Sequence, residues 1–181
     1  MCAINKTMLA GLVVSALLQA CAGAPLPPGQ PLQVKSASSG LMLEVSLEEL
    51  VDLSDRVILG TVTGQQSRWN TAHTAINTLV SMDVSRWVKG APAPGGSNSL
   101  VITVPGGRVD NQAQEVEDVP KFSNGEQVLL FLKSGSEGAF EVAGGFQGKY
   151  SIVAGNAVPC KPAESLPLED LIARITAITA K

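Results

Sequence analysis

Residues 74–88 (TAINTLVSMDVSRWV) alternate between apolar and polar side chains, and this pattern constrains the fold more than any other feature of the sequence. Because successive side chains of a β-strand point to opposite faces, one face collects every second residue. That face holds Ile76, Thr78, Val80, Met82 and Val84. A strand of this length is unusual. The pattern therefore predicts a strand that is bent or bulged, as happens when a sheet curls into a barrel.

Other short segments have the branched, apolar composition of strands. They are residues 56–63, 100–104, 127–133, 140–143 and 149–153. Gly60 indicates a bulge or a close approach of two backbones, and Pro105-Gly106 fits the central positions of a type II turn. Since turn signals recur and no βαβ alternation appears, the sheet is expected to be mostly antiparallel.

Two helices are predicted beside these strands. Ser46 and Glu49 form a capping box at the start of residues 46–54, where apolar residues recur at helical spacing. Residues 166–180 are predicted to form an amphipathic C-terminal helix with Pro167 in its first turn, where no amide is needed. Because five or six strongly bent strands favour a barrel over a sandwich, the predicted fold class is mainly β, a small antiparallel barrel of five to six strands with two helices.

The order of the motifs resembles that of known domains. It runs LSDRVILGTVT (53–63), RWVKG (86–90), VITVPGG (101–107), FSNGEQVLLFLK (122–133) and GKYSIV (148–153). This order is similar to that of bacterial secreted domains with an OB-like barrel and, more distantly, to the netrin-like barrel of tissue inhibitors of metalloproteinases. The resemblance implies an OB-like barrel and, as an alternative function, protease inhibition. In those inhibitors a disulfide-bonded N-terminal cysteine reaches the protease metal, whereas Cys21 lies behind a long tether.

The chain begins with a segment that does not belong to the predicted domain. Residues 8–18 (MLAGLVVSALL) are an apolar run of eleven, whereas a helix that spans a bilayer needs about 20 apolar residues. The run has the length of the hydrophobic region of a signal peptide, and Lys6 precedes it. Residues 1–20 are therefore predicted to be a signal peptide for export.

Residues 18–21 (Leu-Gln-Ala-Cys) resemble the lipobox of bacterial lipoproteins. The resemblance implies that Cys21 receives a diacylglycerol, that a signal peptidase cuts before it, and that its new amine is acylated. Because Ala22 is not the aspartate that sorts such proteins to the inner membrane, it also implies an outer-membrane lipid anchor, facing the periplasm or the outside. Cleavage after Ala22 would instead release a soluble periplasmic protein.

The region after the lipobox divides into a tether and a domain. Residues 21–44 are rich in Pro, Gly, Ser and Ala and are predicted to form a flexible tether, and residues 45–181 a single domain. If Cys21 is acylated, Cys160 is a lone thiol. If it is not, a Cys21–Cys160 disulfide becomes possible in an oxidising compartment.

Composition excludes several classes of function. The net charge is −3 and aromatic residues make up 4%, so the chain lacks the clustered cations and the stacking platforms of nucleic-acid-binding proteins. It holds one histidine, His73, and no Cys/His spacing typical of zinc. Its acidic residues lack the spacing of a calcium loop. No metal, cofactor or nucleic acid is therefore predicted.

Residues 106–123 are predicted to form a long acidic loop, and loops of this length inside a compact domain are usually functional. Tryptophan is enriched where proteins recognise partners. The candidate partner-binding residues are Trp69, Trp87, Arg108, Asp110, Glu115 and Glu117. Trp87 is out of phase with Val84, Arg86 and Val88 along the strand. Its side chain is therefore expected on the opposite face of the strand. The alternative is that both tryptophans pack under the flanking helices.

Neither G-x-S-x-G nor H-E-x-x-H occurs in the sequence. His73 has no acidic residue within four positions and is expected to be a plain surface histidine. Glu126 and Glu141 could form an acid/base pair only if the fold brings them within a few ångströms. The predicted function is a non-enzymatic envelope lipoprotein that acts as a binding or assembly module for a protein, a peptide or a glycan. A secreted protease inhibitor and a hydrolase with paired carboxylates are the alternatives.

Overall fold

The computed structural model describes residues 33–37, 43–92, 98–135, 138–160 and 164–181. Within these ranges the chain forms eleven strands and two α-helices. The strands are β1 (Gln33–Ala37), β2 (Arg56–Trp69), β3 (Ile76–Lys89), β4 (Ser99–Pro105), β5 (Gly107–Val109), β6 (Gln112–Val116), β7 (Gln127–Ser134), β8 (Phe140–Val142), β9 (Lys149–Val153), β10 (Asn156–Pro159) and β11 (Leu166–Pro167). The helices are α1 (Leu47–Leu53) and α2 (Leu168–Thr179), and a 3-10 turn spans Gly145–Gly148.

Five of the strands close into a ring. β2 pairs with β3 and β7, β3 pairs with β4, and β8 joins β4 to β7. The β4–β8 contact is parallel and rests on the single pair Ile102–Phe140, so the ring is only partly closed there. β9, β10 and β11 extend the sheet beyond β7. The prediction of a mainly β domain with an OB-like barrel and two helices is confirmed, although eleven strands form where five to six were predicted.

Bulges bend the long β2–β3 hairpin around the barrel. Its register shifts between Val57 and Ile58, between Leu59 and Gly60, and between Val62 and Gly64, and each extra residue adds bend and twist. At Gly60 a Cβ atom would lie 2.6 Å from the carbonyl oxygen of Asp83. Both predictions, a bent long strand and a close backbone approach at Gly60, are confirmed.

Two apolar clusters pack on opposite sides of the barrel wall. The interior cluster is Ile58, Val62, Val80, Met82, Val84, Leu100, Ile102, Val104, Val128, Leu130 and Leu132. The outer cluster, which α1 and α2 cover, is Leu50, Val51, Val57, Leu59, Leu129, Phe131, Ala143, Ala157, Leu171, Ile172 and Ile175. Residues 128–132 alternate between the two clusters and are fully buried. Burial on both faces explains why β7 is an uninterrupted apolar run in the sequence.

Side chains cap both ends of α1, whereas the start of α2 has no side-chain cap. Ser46 Oγ accepts from the Glu49 amide at 3.2 Å, and Glu49 Oε2 accepts from the Ser46 amide at 2.8 Å, so the predicted capping box is present. Lys89 Nζ donates to two carbonyls at the other end of α1, those of Val51 and Ser54. Pro167 precedes α2 as its N-cap residue instead of lying in its first turn.

Two segments that were predicted to lack regular structure contain strands. Within residues 106–123, β5 and β6 form an antiparallel hairpin instead of a loop. Residues 33–37 of the predicted tether form β1, which pairs in parallel with β6. The prediction of a flexible tether is therefore wrong over those five residues. These three strands form a second sheet, in the order β1-β6-β5.

Neither helix of the described part of the chain is long and apolar enough to cross a bilayer. The predicted signal peptide, residues 1–20, lies outside the described residues.

Two glycines on β2 provide a matched test of the β2–β3 packing. Gly60→Ala is expected to lower the free energy of unfolding by about 2 kcal/mol, because its Cβ would press on backbone that cannot move aside. Gly64→Ala has nothing within 4 Å of its Cβ and is expected to leave stability unchanged or raise it by about 0.5 kcal/mol. Urea unfolding measures both variants. Equal stabilities would contradict the close approach.

Candidate functional site

A groove opens at one mouth of the barrel, with a volume of about 810 Å³. Its floor contains Val80 and Val104, whose side chains belong to the interior cluster, together with Phe122. Its walls are the β5–β6 hairpin and the chain that follows it. We call this cavity the mouth groove. Its lining combines barrel interior with chain outside the barrel, so it exposes apolar surface beside polar and charged groups.

Residues 116–122, here called the covering segment, lie across the partly open side of the barrel. Val119 and Phe122 pack against the interior cluster. A second cavity of about 310 Å³ shares Val104, Pro105 and residues 116–120 with the mouth groove and continues to Lys133 and Glu141. The covering segment therefore separates the two cavities, and its position determines the shape of both.

A buried cation holds the covering segment in place. Lys149 is 4% exposed and lies opposite Leu130 in the register of β7 and β9, on the interior side of the sheet. Its Nζ is 2.7 Å from Glu126 Oε1, donates to the carbonyl of Lys121, and stands 4.7 Å above the ring of Phe122. The ammonium group thus joins β9, the residue before β7 and the covering segment.

Glu126 has three donors around its carboxylate. Besides Lys149, Ser151 Oγ donates to Oε1 at 2.6 Å and the Ser123 amide donates to Oε2 at 3.0 Å. Burial alone would raise the pKa of Glu126. The hydrogen bonds from Lys149, Ser151 and Ser123, with the charge of Lys149, outweigh that effect and lower the pKa below its usual 4.5. The carboxylate is therefore ionised at neutral pH, as the ion pair requires.

The β5–β6 hairpin is fixed against the far end of the β2–β3 hairpin. Gln114 Oε1 accepts from the Ile76 amide at 2.7 Å, and Thr78 Oγ1 donates to the Gly106 carbonyl at 2.8 Å. Gly107 packs so closely on Ser67 and Thr78 that a Cβ atom would collide with both hydroxyls. The turn itself is Asp110-Asn111, with Asp110 at a φ of 51°. These contacts give the mouth groove a defined wall.

Three of the predicted partner-binding residues line the mouth groove: Arg108, Glu115 and Glu117. Asp110 does not, because it lies in the hairpin turn, where its carbonyl accepts from Arg108 Nε at 3.4 Å. Trp69 also lies elsewhere, half-buried at the end of β2 with its ring centre 6.4 Å from that of His73. His73 is exposed, as predicted. The structure thus brings together Arg108, Glu115 and Glu117 and leaves out Asp110 and both tryptophans.

Trp87 faces the barrel interior, so the prediction that it lies on the opposite side from Val84 is wrong. The register passes from Val84 opposite Gly60 to Arg86 opposite Leu59, and the extra residue, Ser85, shifts the alternation by one. Trp87 then packs against the interior cluster. Arg56 stacks on its ring at 5.6 Å. The indole Nε1 is buried and has no hydrogen-bond partner among the described residues.

Glu126 and Glu141 do not come together as an acid/base pair. Glu126 precedes β7, whereas Glu141 lies opposite Lys133 near its other end, so their backbones are roughly 20 Å apart along the strand. Each carboxylate has its own cation, Lys149 for Glu126 and Lys133 for Glu141. The two groups of a glycosidase need to lie within about 10 Å.

The structure describes one of the two cysteines of the predicted mature chain. Cys21 lies outside the described residues. Cys160 is an exposed free thiol at the end of β10. Within the ranges that the structure describes, no three His, Cys, Asp or Glu side chains are grouped so that they could hold a metal ion.

Sequence reasoning missed Lys149, the residue that organises the covering segment. Its one available signal is a lysine at the start of the apolar strand GKYSIV, which the pattern places as a strand start in preference to the end of a phosphate-binding loop. Gln65 was also missed, although its Nε2 donates to the Phe122 carbonyl at 3.1 Å. Both side chains act on residues distant in the sequence.

No protein-family model matches the chain, and no curated protein matches its sequence.

Two lysines in ion pairs provide a test of the contact between Lys149 and Glu126, here called the clamp. Lys149→Met is expected to lower the free energy of unfolding by about 3 kcal/mol, because it leaves Glu126 without its cation in a partly buried place. Lys133→Met removes an exposed pair whose N–O distance is 3.7 Å and is expected to cost about 0.5 kcal/mol. Chemical unfolding measures both variants. Similar losses for both would contradict the role given to Lys149.

Proposed function

We propose that the protein is a non-enzymatic lipoprotein of the bacterial cell envelope that binds a polypeptide segment of another envelope protein in the mouth groove. The mouth groove carries this proposal. Binding sites in proteins are concave, largely apolar and marked by a few polar groups, and the mouths of β-barrels are frequent places for them. The half-buried Phe122 supplies apolar surface at its floor, above the buried side chains of Val80 and Val104.

The rim of the mouth groove favours a polypeptide. Arg108 and Lys121 are exposed cations, and Glu115 and Glu117 are exposed anions, around that floor. An apolar centre with a charged rim is the arrangement of protein interfaces. A peptide segment can offer apolar side chains to the floor and charges of both signs to the rim.

The clamp at Lys149 supports binding without large rearrangement. Because Lys149 and Glu126 hold the covering segment against the barrel, the groove exists before a partner arrives. A preformed site loses less conformational entropy on binding than one that must be ordered.

The anchor can be tested separately from the groove. Cys21→Ser is expected to abolish labelling by palmitate and to remove the protein from the outer-membrane fraction, because the thioether to diacylglycerol needs a thiol, and neither cleavage before residue 21 nor acylation of the new amine can follow without it. Cys160→Ser makes the same chemical change at an exposed thiol and is expected to alter neither result. A Cys21→Ser chain that still fractionates with the outer membrane would refute the anchor.

The groove is tested by reversing charge at its rim. The full chain with Cys21→Ser is cross-linked in envelope extracts, and captured proteins are quantified by mass spectrometry. Arg108→Glu is expected to weaken capture of the partner at least about tenfold, since the new carboxylate would repel the acidic group of the partner that Arg108 binds. Glu164→Arg, an exposed charge that does not line the groove, is expected to leave capture unchanged. If both variants capture the same proteins equally, the groove is not the binding surface. Competition by glycan fragments alone would point to a glycan.

A further inference from the structure

The end of the barrel away from the mouth groove carries a half-buried arginine, Arg56, at the start of β2. Arg56 pairs with Leu132 in the register of β2 and β7. Leu132 and Ile58, two residues further along β2, both belong to the interior cluster. Because alternate residues of a strand share a face, Arg56 points to the interior side as well. It contacts Trp87, which lies seven residues beyond Val80 of the groove on β3, roughly 20 Å along the strand.

Two aromatic rings flank the Arg56 guanidinium. Its central carbon lies 4.6 Å from the ring centre of Phe140 and 5.6 Å from that of Trp87, and both distances are within the range of a cation–π contact. Both rings pack against the interior cluster, so the guanidinium is held in one place. These contacts attract its charge, but they give its five N–H donors no oxygen to bind.

The guanidinium of Arg56 makes no ion pair and no hydrogen bond with any part of the chain that the structure describes. The acid beside it in the sequence, Asp55, is engaged elsewhere, because its Oδ2 accepts from the amide and the hydroxyl of Ser134 at 2.7 and 2.8 Å. Arg86 shows the contrast, since its Nη1 donates to both carboxylate oxygens of Glu169. Arg56 is thus a positioned cation whose donors are unused.

A second donor at this end of the barrel also lacks an acceptor. Trp87 Nε1 is buried and has no hydrogen-bond partner among the described residues. Buried polar groups of native proteins are nearly always hydrogen-bonded, so an orphaned one calls for an explanation. The ring that carries it is one of the two that flank Arg56. A cation and an indole N–H therefore meet here, and both bind oxygen atoms that carry negative charge.

We propose that Arg56, between Trp87 and Phe140, is a binding site for the carboxylate group of a ligand, separate from the mouth groove. The forked donors of an arginine match the two oxygens of a carboxylate, and such pairs are among the strongest hydrogen-bonded contacts in proteins. The carboxylate belongs to a free small molecule or to an acidic side chain of a protein.

The charges around Arg56 favour a carboxylate over a phosphate. Hydrogen bonds from Ser134 lower the pKa of Asp55 most, and the charge of Arg56 adds to this effect, so Asp55 is an ionised neighbour that repels a second anion. The faces of the two rings carry partial negative charge as well. Because Coulomb repulsion grows with charge, a phosphate that carries nearly two charges is repelled about twice as strongly as a carboxylate.

The two tryptophans of the chain provide the measurement. The full chain with Cys21→Ser is labelled with ¹⁵N, and its indole N–H signals are followed by NMR while acetate replaces chloride at constant ionic strength. The signal of Trp87 is expected to shift saturably. The signal of Trp69, at the other end of β2, is expected to stay in place, and Trp69→Phe assigns the two signals.

Three variants test the role of the guanidinium. Arg56→Gln is expected to weaken acetate binding at least about tenfold, because it removes the charge and the fork. Arg56→Lys keeps the charge beside the rings but loses the fork, and it is expected to weaken binding at least about threefold. Arg86→Gln changes an exposed arginine whose partner is Glu169 and is expected to leave acetate binding unchanged.

A titration with the blocked peptide Gly-Gly-Asp-Gly-Gly distinguishes the two sources of the carboxylate. Tighter binding of the peptide than of acetate would support an acidic side chain of a protein as the ligand. Binding no tighter than that of acetate would support a free small carboxylate.

Several outcomes would overturn the proposal. One is a Trp87 signal that does not move with acetate. Another is undiminished binding by Arg56→Gln when its thermal unfolding matches that of the parent chain. Phosphate that binds as tightly as acetate would show an unselective anion site. Tighter acetate binding by Glu137→Gln, a change outside the described residues, would show that the carboxylate bound by Arg56 is the chain's own.

Discussion

The structure depends on the burial of β7 on both of its faces. Val128, Leu130 and Leu132 point into the barrel, while Leu129 and Phe131 point towards the helices, and all are fully buried. Each such side chain contributes roughly 1.5–3 kcal/mol when it leaves water. β7 is therefore the wall that both apolar clusters share. It also pairs with β2, β8 and β9, so the ring, the sheet extension and the two helices take their positions from one strand.

A barrel built in this way leaves an opening where β4 and β8 meet through a single pair, and the covering segment fills it. Val119 and Phe122 bring too little apolar surface for a separate core, so a polar contact fixes their place. The clamp of Lys149 and Glu126 provides it at a desolvation cost that its hydrogen bonds offset. Its value lies in specifying one position of the covering segment, and the shape of the mouth groove follows from that position.

The sequence was sufficient for elements whose pattern is local or strongly periodic. The capping box of α1, the bounds of β9, the apolar run of β7 and the close approach at Gly60 were all predictable. β1, β5 and β6 were not, because these short and mostly polar segments carry no apolar alternation and are strands only by virtue of pairing. The prediction of the face on which Trp87 lies was wrong for another reason. One bulged residue, Ser85, reverses the alternation of side chains along β3, and a bulge leaves no clear mark in composition.

Several of the elements that could not be predicted build the candidate site: β5, β6 and the covering segment. The barrel excludes water and so carries strong apolar patterns, whereas the hairpin and the covering segment are partly exposed and carry more polar residues. Their structure comes from backbone pairing and from single polar contacts such as Gln114 with Ile76 and Lys149 with the Lys121 carbonyl. Local preference and final structure commonly disagree at functional surfaces. Because of this separation, the charged residues of the rim can be substituted while β7 and its two clusters keep the barrel intact.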